Sequence, residues 1–179
     1  MRFFFYGTLQ HGNTNPVARA VHARLAQLGE ATMRGRLYAV REASGWYPVL
    51  VPGQGTVHGA LYETRPDFTQ ADLAMLDGWE DFDPRRPGRS LYVRRLLPVD
   101  AQPGRDEAGH AYVYNRTLPR SARRIASGNF NCWLTHTGLP AFGSRRVVPA
   151  ERNGIPLPFR HTRSNGARFN DTNSSDQPG

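Results

Sequence analysis

The stretch Phe3-Phe4-Phe5-Tyr6-Gly7-Thr8-Leu9 stands at the start of the chain, and the other predicted elements are arranged around it. Its four consecutive aromatic residues predict a strand with both faces buried, as in the centre of a sheet. A glycine directly after such a strand adopts backbone angles closed to other residues, so the following N–H groups can turn towards a ligand. We therefore interpret Gly7, Thr8 and Leu9 as a candidate cradle for an anion or a carbonyl oxygen, although an ordinary tight turn explains the same spacing.

A single acid at the end of a short helix is the second candidate for chemistry. Thr69 suits the N-cap of a helix that carries Leu73 and Leu76 on its inner face. Glu80 then lies at or just beyond the helix end, and Asp77 is expected to hold that end in place. A backbone cradle and one carboxylate together indicate acid/base chemistry on an amide. On the residues alone, a glutamate at a helix end is more often a solvated surface acid.

Length and composition indicate one domain without a membrane segment. The 179 residues suit a single core, and we predict a domain over 1–150 followed by a flexible tail rich in Arg, Asn, Ser and Pro over 151–179. No apolar run approaches the roughly 20 residues that cross a bilayer, and no signal-peptide pattern is present, so we predict a cytoplasmic protein. The single cysteine, Cys132, and the histidine spacing predict neither a disulfide nor a metal site.

The net charge of +8 is concentrated in the C-terminal third. The first 115 residues carry 13 arginines and 12 acidic residues, whereas residues 116–179 carry 10 arginines and three acidic residues. Every basic residue is arginine, a bias that GC-rich codon usage produces without any binding function. We therefore expect no nucleic-acid partner; binding that weakens steeply with salt would be the evidence for one.

Hydrophobic periodicity predicts short strands joined by tight links. The strands are predicted over 2–6, 32–40, 47–51, 56–63, 91–99 and 110–114. A Pro-Gly-Gln-Gly turn at 52–55 would separate two of them, and such short links favour an antiparallel meander.

Three helices and one loop complete the predicted elements. Asn15 and Pro16 begin the first helix, whose apolar stripe ends at Gly29. The second is the helix that leads to Glu80, and the third is a short basic helix over 119–126. The Arg/Pro-rich segment 81–90 is too charged for packing and is predicted to be a flexible flap beside the site.

Six short motifs follow one another along the chain. They are Y-G-T-L at 6–9, Y-P-V-L at 47–50, V-x-G-x-L-Y at 57–62, L-D-x-x-E at 76–80, Y-x-R at 92–94 and A-Y-V-Y at 111–114. In this order they resemble the gamma-glutamylcyclotransferase-like family, also called AIG2-like, over roughly residues 2–130. The resemblance implies an α+β fold, a small mixed and mostly antiparallel β-barrel with two or three packed helices.

The resemblance also implies a chemistry and a set of site residues. The enzyme would need no cofactor and would release 5-oxoproline from a γ-glutamyl amine or small γ-glutamyl peptide, its small-molecule substrate. The substrate's own α-amine would be the nucleophile, with Glu80 as general acid/base. The implied substrate-binding residues are Tyr6, Gly7, Thr8, Leu9, Tyr92, Arg94 and Tyr114. For Arg94 and Tyr114 a structural role explains the residues at least as well.

Two departures from the family pattern leave alternatives open. The loop between Glu80 and Tyr92 is longer than usual, which leaves the substrate preference open. The segment Ser127-Gly128-Asn129-Phe130 differs from a family S-G-D-W segment in its last two residues, which leaves the docking of the C-terminal segment open. The alternatives are removal or transfer of a γ-glutamyl group in a biosynthetic pathway, and a non-catalytic module that binds a small ligand, against which the presence of Glu80 argues.

Overall fold

A computed structural model describes residues 1–10, 15–101 and 107–143 of the chain. The described residues form a short 3₁₀ helix at Pro87–Arg89, six strands and three α-helices. In chain order these strands and helices are β1 Arg2–Phe5, α1 Pro16–His22, β2 Leu25–Glu42, β3 Gly45–Thr64, α2 Gln70–Trp79, β4 Tyr92–Val99, β5 Glu107–Tyr114, β6 Arg123–Arg124 and α3 Phe130–Thr137.

The six strands form one mixed sheet in the order β4-β5-β1-β3-β2-β6. Strands β1 and β5 are parallel, and the other neighbours are antiparallel. The sheet curls into a half-barrel. A bridge in which Thr32 and Asp100 exchange two backbone hydrogen bonds of 2.8 Å joins β2 to the residue after β4. The predicted α+β fold class is confirmed.

Strand β1 lies inside the sheet with both faces buried, as its aromatic run predicts. Successive residues of a strand face opposite sides. Phe4 packs inside the curl in the same cluster as Phe130 of α3. On the other face, Phe5 belongs to the cluster that contains Val21 of α1 and Leu76 of α2. The loop that follows β1 is therefore held between two packed layers.

Helix α1 begins as predicted but ends earlier. Asn15 is the N-cap, and its Oδ1 accepts a 2.7 Å hydrogen bond from the Ala18 N–H. The helix ends at His22 rather than at Gly29, because β2 starts at Leu25 and pairs with β3 along nearly its whole length. The helical spacing of the apolar residues was misleading: Leu28 is exposed on the strand.

The predicted turn at 52–55 is wrong, because β3 runs without interruption from Gly45 to Thr64. The pairing shifts there from Arg36 opposite Val51 to Arg34 opposite Thr56. Residues 52–55 therefore form an irregularity of the bulge type, which bends a strand without ending it.

Two further predictions are corrected. The predicted helix over 119–126 is not present; β6 forms there, and the Ile125 N–H donates to the Leu37 carbonyl at 2.9 Å. The segment 81–90 is exposed over most of its length, as its charge predicts, but it is held in place, because Ser90 is buried and the Asn115 Nδ2 donates to the carbonyls of Pro87 and Ser90 at 2.9 and 3.1 Å.

The predicted boundary at 150 and the predicted tail over 151–179 lie outside the described residues. Within the described part of the chain, no helix combines the length and apolar character that a membrane span requires.

Candidate active site

A pocket opens where the loop after β1 meets the end of α2. Six of the residues predicted for the site line it: Tyr6, Gly7, Thr8, Leu9, Glu80 and Tyr92. The structure thus brings the backbone loop and the acid, which lie far apart in the sequence, to one place.

The loop after β1 is a turn whose carbonyl groups are anchored to α1. The Gln10 N–H donates to the Gly7 carbonyl at 3.0 Å and closes the turn. The Thr8 carbonyl accepts a 2.6 Å hydrogen bond from Nδ2 of Asn15, and the Leu9 carbonyl lies 2.8 Å from Nε2 of His22. Within the described residues the N–H groups of Thr8 and Leu9 donate no hydrogen bond. The loop can therefore offer two fixed amide donors to a ligand.

Gly7 is required by a close approach and not by an unusual backbone angle. A Cβ atom at this position would lie 2.3 Å from Cγ of Pro48 on β3. Gly7 does not take a positive φ, so the reason we gave for it from the sequence is wrong. Because any side chain would push the loop away from β3, glycine sets the shape of the pocket wall.

Glu80 is placed by the end of α2. It is the C-cap residue, as predicted. The Asp81 N–H donates to the Gly78 carbonyl at 3.3 Å, and the Phe82 N–H donates to the Asp77 carbonyl at 2.8 Å. These two bonds form a Schellman motif, in which the residue after the cap is left-handed. That residue is Asp81, with a φ of 50°.

The carboxyl group of Glu80 is poised to exchange protons near neutral pH. Burial raises the pKa of Glu80 from 4.5 to about 8. In the described residues no arginine or histidine forms an ion pair with it. An acid with a pKa near the working pH can both accept and donate a proton readily.

Three tyrosines surround this acid, and their hydroxyl groups are already engaged. The Tyr6 hydroxyl donates to the Tyr112 carbonyl at 2.5 Å, and the Tyr92 hydroxyl donates to the Pro48 carbonyl at 2.8 Å. The Tyr112 hydroxyl donates to Oδ1 of Asp77 at 2.7 Å. Burial raises the pKa of all three phenols, and the charge of Glu80 raises each further. The tyrosines therefore stay neutral and hold the pocket walls together.

Arg94 and Tyr114 do not line the pocket. Arg94 donates from Nε and Nη2 to the two carboxylate oxygens of Asp77, at 3.0 and 3.3 Å. Because Asp77 also accepts from Tyr112, it ties α2 to β4 and β5, in keeping with the structural role predicted for it. Tyr114 packs its ring edge to face against Tyr92, at 5.6 Å between centroids. Both residues therefore make structural contacts and are not part of the pocket lining.

The lining residues that sequence reasoning did not assign to the site include Tyr47, Pro48, Trp79 and Phe142. The Y-P-V-L motif contains the first two and was the signal that could have identified them. Nothing in the sequence pattern indicates Phe142, whose N–H donates to the Trp46 carbonyl at 2.7 Å. In the described residues no three His, Cys, Asp or Glu side chains form a group that could hold a metal ion.

The comparisons with known proteins agree with this fold. Residues 3–132 match the family described as Gamma-glutamyl cyclotransferase, AIG2-like, and the chain belongs to this family. The Gamma-glutamylcyclotransferase family protein YtfP of Escherichia coli strain K12 is 32% identical over 137 residues, which cover 75% of this chain and 96% of that protein. The family resemblance found in the sequence is confirmed.

Solved structures share the fold. An uncharacterised protein from Pyrococcus horikoshii aligns with a TM-score of 0.50 at 22% identity, over 77% of this chain and 97% of that one. Kluyveromyces lactis allophanate hydrolase aligns with a TM-score of 0.56 at 13% identity, over 76% of this chain and 21% of that one. At such identities the likeness extends to the fold alone.

Proposed function

We propose that the protein is a γ-glutamylcyclotransferase that releases 5-oxoproline and an amine from a γ-glutamyl amine or small γ-glutamyl peptide. The observation that carries the proposal is Glu80, a half-buried acid whose pKa is raised by desolvation to about 8, in the same pocket as the loop residues Thr8 and Leu9. Membership of the family supports the same class of reaction.

In this reaction Glu80 relays two protons, one after the other, and ends unchanged. Its carboxylate accepts a proton from the α-ammonium group of the substrate, and the free amine attacks the γ-carbonyl carbon to form the ring C–N bond. The bond from that carbon to the leaving nitrogen then breaks as the Glu80 carboxyl group protonates the leaving nitrogen. The regenerated carboxylate accepts the second proton from the ring nitrogen, which becomes the lactam N–H, and passes it to the released amine. General acid/base catalysis of this kind contributes about 100- to 10,000-fold in rate.

The loop after β1 is assigned to substrate binding and to the transition state. The N–H groups of Thr8 and Leu9 donate to oxygens of the γ-glutamyl group, including the oxyanion that develops on attack. Such a fixed donor is worth on the order of 3 kcal/mol in other acyl-transfer sites. The pocket also folds the γ-glutamyl group so that its amine faces its own carbonyl, which supplies rate through proximity.

The proposal is tested by 5-oxoproline release from a panel of γ-glutamyl amines and γ-glutamyl dipeptides. We expect release by the wild type and a loss of at least about 100-fold in kcat for Glu80→Gln, because the amide side chain cannot carry the proton. Glu63→Gln is the matched control, since this residue lies on β3, is exposed and pairs with Arg2 at 3.2 Å.

Equal turnover by the wild type and Glu80→Gln would remove Glu80 from the mechanism. If folded wild-type protein binds γ-glutamyl compounds but releases no 5-oxoproline from any of them, the cyclotransferase proposal fails and a binding module takes its place.

A further inference from the structure

Three aromatic rings form the solvent side of the pocket. Tyr47, Trp79 and Phe142 line it and are half-buried, whereas the inner lining residues such as Phe4 and Tyr6 are buried. The Phe142 ring lies edge to face with both partners, with centroids 6.0 Å from that of Tyr47 and 6.1 Å from that of Trp79. We call these three residues the aromatic wall.

Backbone hydrogen bonds to β3 hold Phe142 in the aromatic wall. The Trp46 N–H donates to the Pro140 carbonyl at 2.9 Å, and the Phe142 N–H donates back to the Trp46 carbonyl at 2.7 Å. A Cβ atom on Gly45 would lie 2.5 Å from the Ala141 carbonyl oxygen, so glycine is needed for this approach. Phe142 lies beyond residues 3–132, which match the family. The wall therefore includes a side chain that the family match does not cover.

The position of the wall relates it to the leaving amine. The leaving nitrogen must lie beside the carboxyl group of Glu80, because that group protonates it. Trp79 directly precedes Glu80 in the chain, and Phe142 contacts Trp79. The substituent on the leaving nitrogen therefore extends from Glu80 towards the aromatic wall and solvent.

The charge of the lining selects against a carboxylate on that substituent. Among the described residues that line the pocket, Glu80 is the one charged side chain, and none is an arginine or a histidine. Arg94 is already engaged with both carboxylate oxygens of Asp77. The loop amides serve the γ-glutamyl group, so a second carboxylate would meet aromatic rings, with no cation among the described lining residues to offset its desolvation.

We propose that the aromatic wall is the subsite for the leaving amine, and that the preferred substrate is the γ-glutamyl amide of an amine with a flat apolar substituent and no carboxylate. This inference rests on the proposed function. Aromatic rings gain most from edge-to-face or offset contacts with another ring, in addition to the apolar area that they bury.

The test is binding to Glu80→Gln, measured by isothermal titration calorimetry with γ-glutamyl-benzylamide, γ-glutamyl-methylamide and γ-glutamyl-phenylalanine. Binding does not require turnover, so the result stands even if no 5-oxoproline is released. We expect the benzylamide to bind at least about tenfold more tightly than the methylamide, a difference of about 1.4 kcal/mol. We also expect γ-glutamyl-phenylalanine, which differs from the benzylamide by a carboxylate and one methylene group, to bind at least about tenfold more weakly than the benzylamide.

A second variant assigns the preference to the wall. With Phe142→Ala added to Glu80→Gln, the benzylamide should lose roughly tenfold more affinity than the methylamide. Phe142→Leu keeps the apolar volume and should lose less, and Leu96→Ala, at an exposed position outside the pocket, is the control. If Phe142→Ala fails to fold, the three ligands on the folded Glu80→Gln protein decide the matter.

Equal affinity for the benzylamide and the methylamide, or stronger binding of γ-glutamyl-phenylalanine, would overturn the subsite even if turnover is found. Failure of turnover with the ligand preference intact would overturn the proposed reaction and keep the subsite.

Discussion

Glu80 is a half-buried residue whose carboxyl group the fold desolvates without giving it a cation in the described residues. An acid in such a site costs stability when it is charged, and this cost is the counterpart of its raised pKa. The protein tolerates the cost at a single residue, and the tyrosines around it are satisfied by hydrogen bonds to Tyr112, Pro48 and Asp77.

The free energy of unfolding should depend on pH because of this residue. Between pH 4.5 and about 8 the folded state holds the Glu80 proton while the unfolded chain releases it. Stability therefore falls as the pH rises through this range, and the loss is complete above the folded pKa. Glu80→Gln does not titrate, so we expect it to exceed the wild type by roughly 2 to 4 kcal/mol at pH 9 and to match it near pH 4.

Urea unfolding of both proteins at several pH values measures this difference, with Glu63→Gln as the exposed control. A constant difference between wild type and Glu80→Gln across the pH range would mean that the carboxyl group titrates normally.

At the scale of elements, the end of α2 determines where the acid points. The N-terminus is closed by a capping box, in which the Thr69 hydroxyl accepts from the Asp72 N–H and the Asp72 carboxylate accepts from the Thr69 N–H. The C-terminus depends on the left-handed Asp81, a conformation that costs energy for residues with a side chain. The same helix is fastened to the sheet through Asp77 and Arg94.

Substitutions at Asp81 test whether the end of α2 positions Glu80 for catalysis. A β-branched side chain is poorly tolerated at a φ of 50°, so we expect Asp81→Val to lower the free energy of unfolding by about 1 to 3 kcal/mol. It should also lower kcat at least about tenfold, because a 1 Å displacement of a catalytic group is costly. Asp81→Gly, the usual residue of this motif, should retain both.

Thermal unfolding and 5-oxoproline release measure the two effects. Comparable behaviour of the valine and glycine variants would show that the Schellman motif does not position Glu80.

At the scale of the whole molecule, the pocket is completed by parts from both ends of the described chain. Strand β1 and its loop supply one wall, and the segment around Phe142 returns to β3 to supply another. The bridge between Thr32 and Asp100 closes the half-barrel that supports them. The ligand site therefore depends on contacts between residues far apart in the sequence.

Two truncations test this dependence. A chain ending at residue 154 retains Phe142 and should keep the stability, turnover and ligand preference of the full chain. A chain ending at residue 139 loses the hydrogen bonds to Trp46 and the Phe142 ring, and should lose about 2 to 4 kcal/mol of stability. It should also lose the preference for the benzylamide over the methylamide.

Calorimetric unfolding and the binding series provide the measurements. Loss of turnover already in the chain ending at 154 would show that residues beyond it are needed for function.

The features that the sequence predicted correctly depend on local interactions. The aromatic run of β1, the caps at Asn15 and Thr69 and the position of Glu80 at a helix end each follow from a few neighbouring residues. The ordered motifs were sufficient to identify the family and to predict the fold class. They also predicted that the loop after β1 and Glu80 belong to one site.

The features that the sequence did not determine depend on tertiary partners. The apolar residues after His22 fit a helix equally well until β3 provides a partner strand from Leu25 onwards. Arg94 is a suitable substrate ligand by type, but the buried carboxylate of Asp77 occupies its guanidinium group. Phe142 belongs to the site only because Trp46 holds its backbone, a pairing between distant residues that no local pattern encodes. Local sequence patterns thus made the family, the acid at the helix end and the loop after β1 recognisable. Contacts between distant segments decided which other side chains line the pocket.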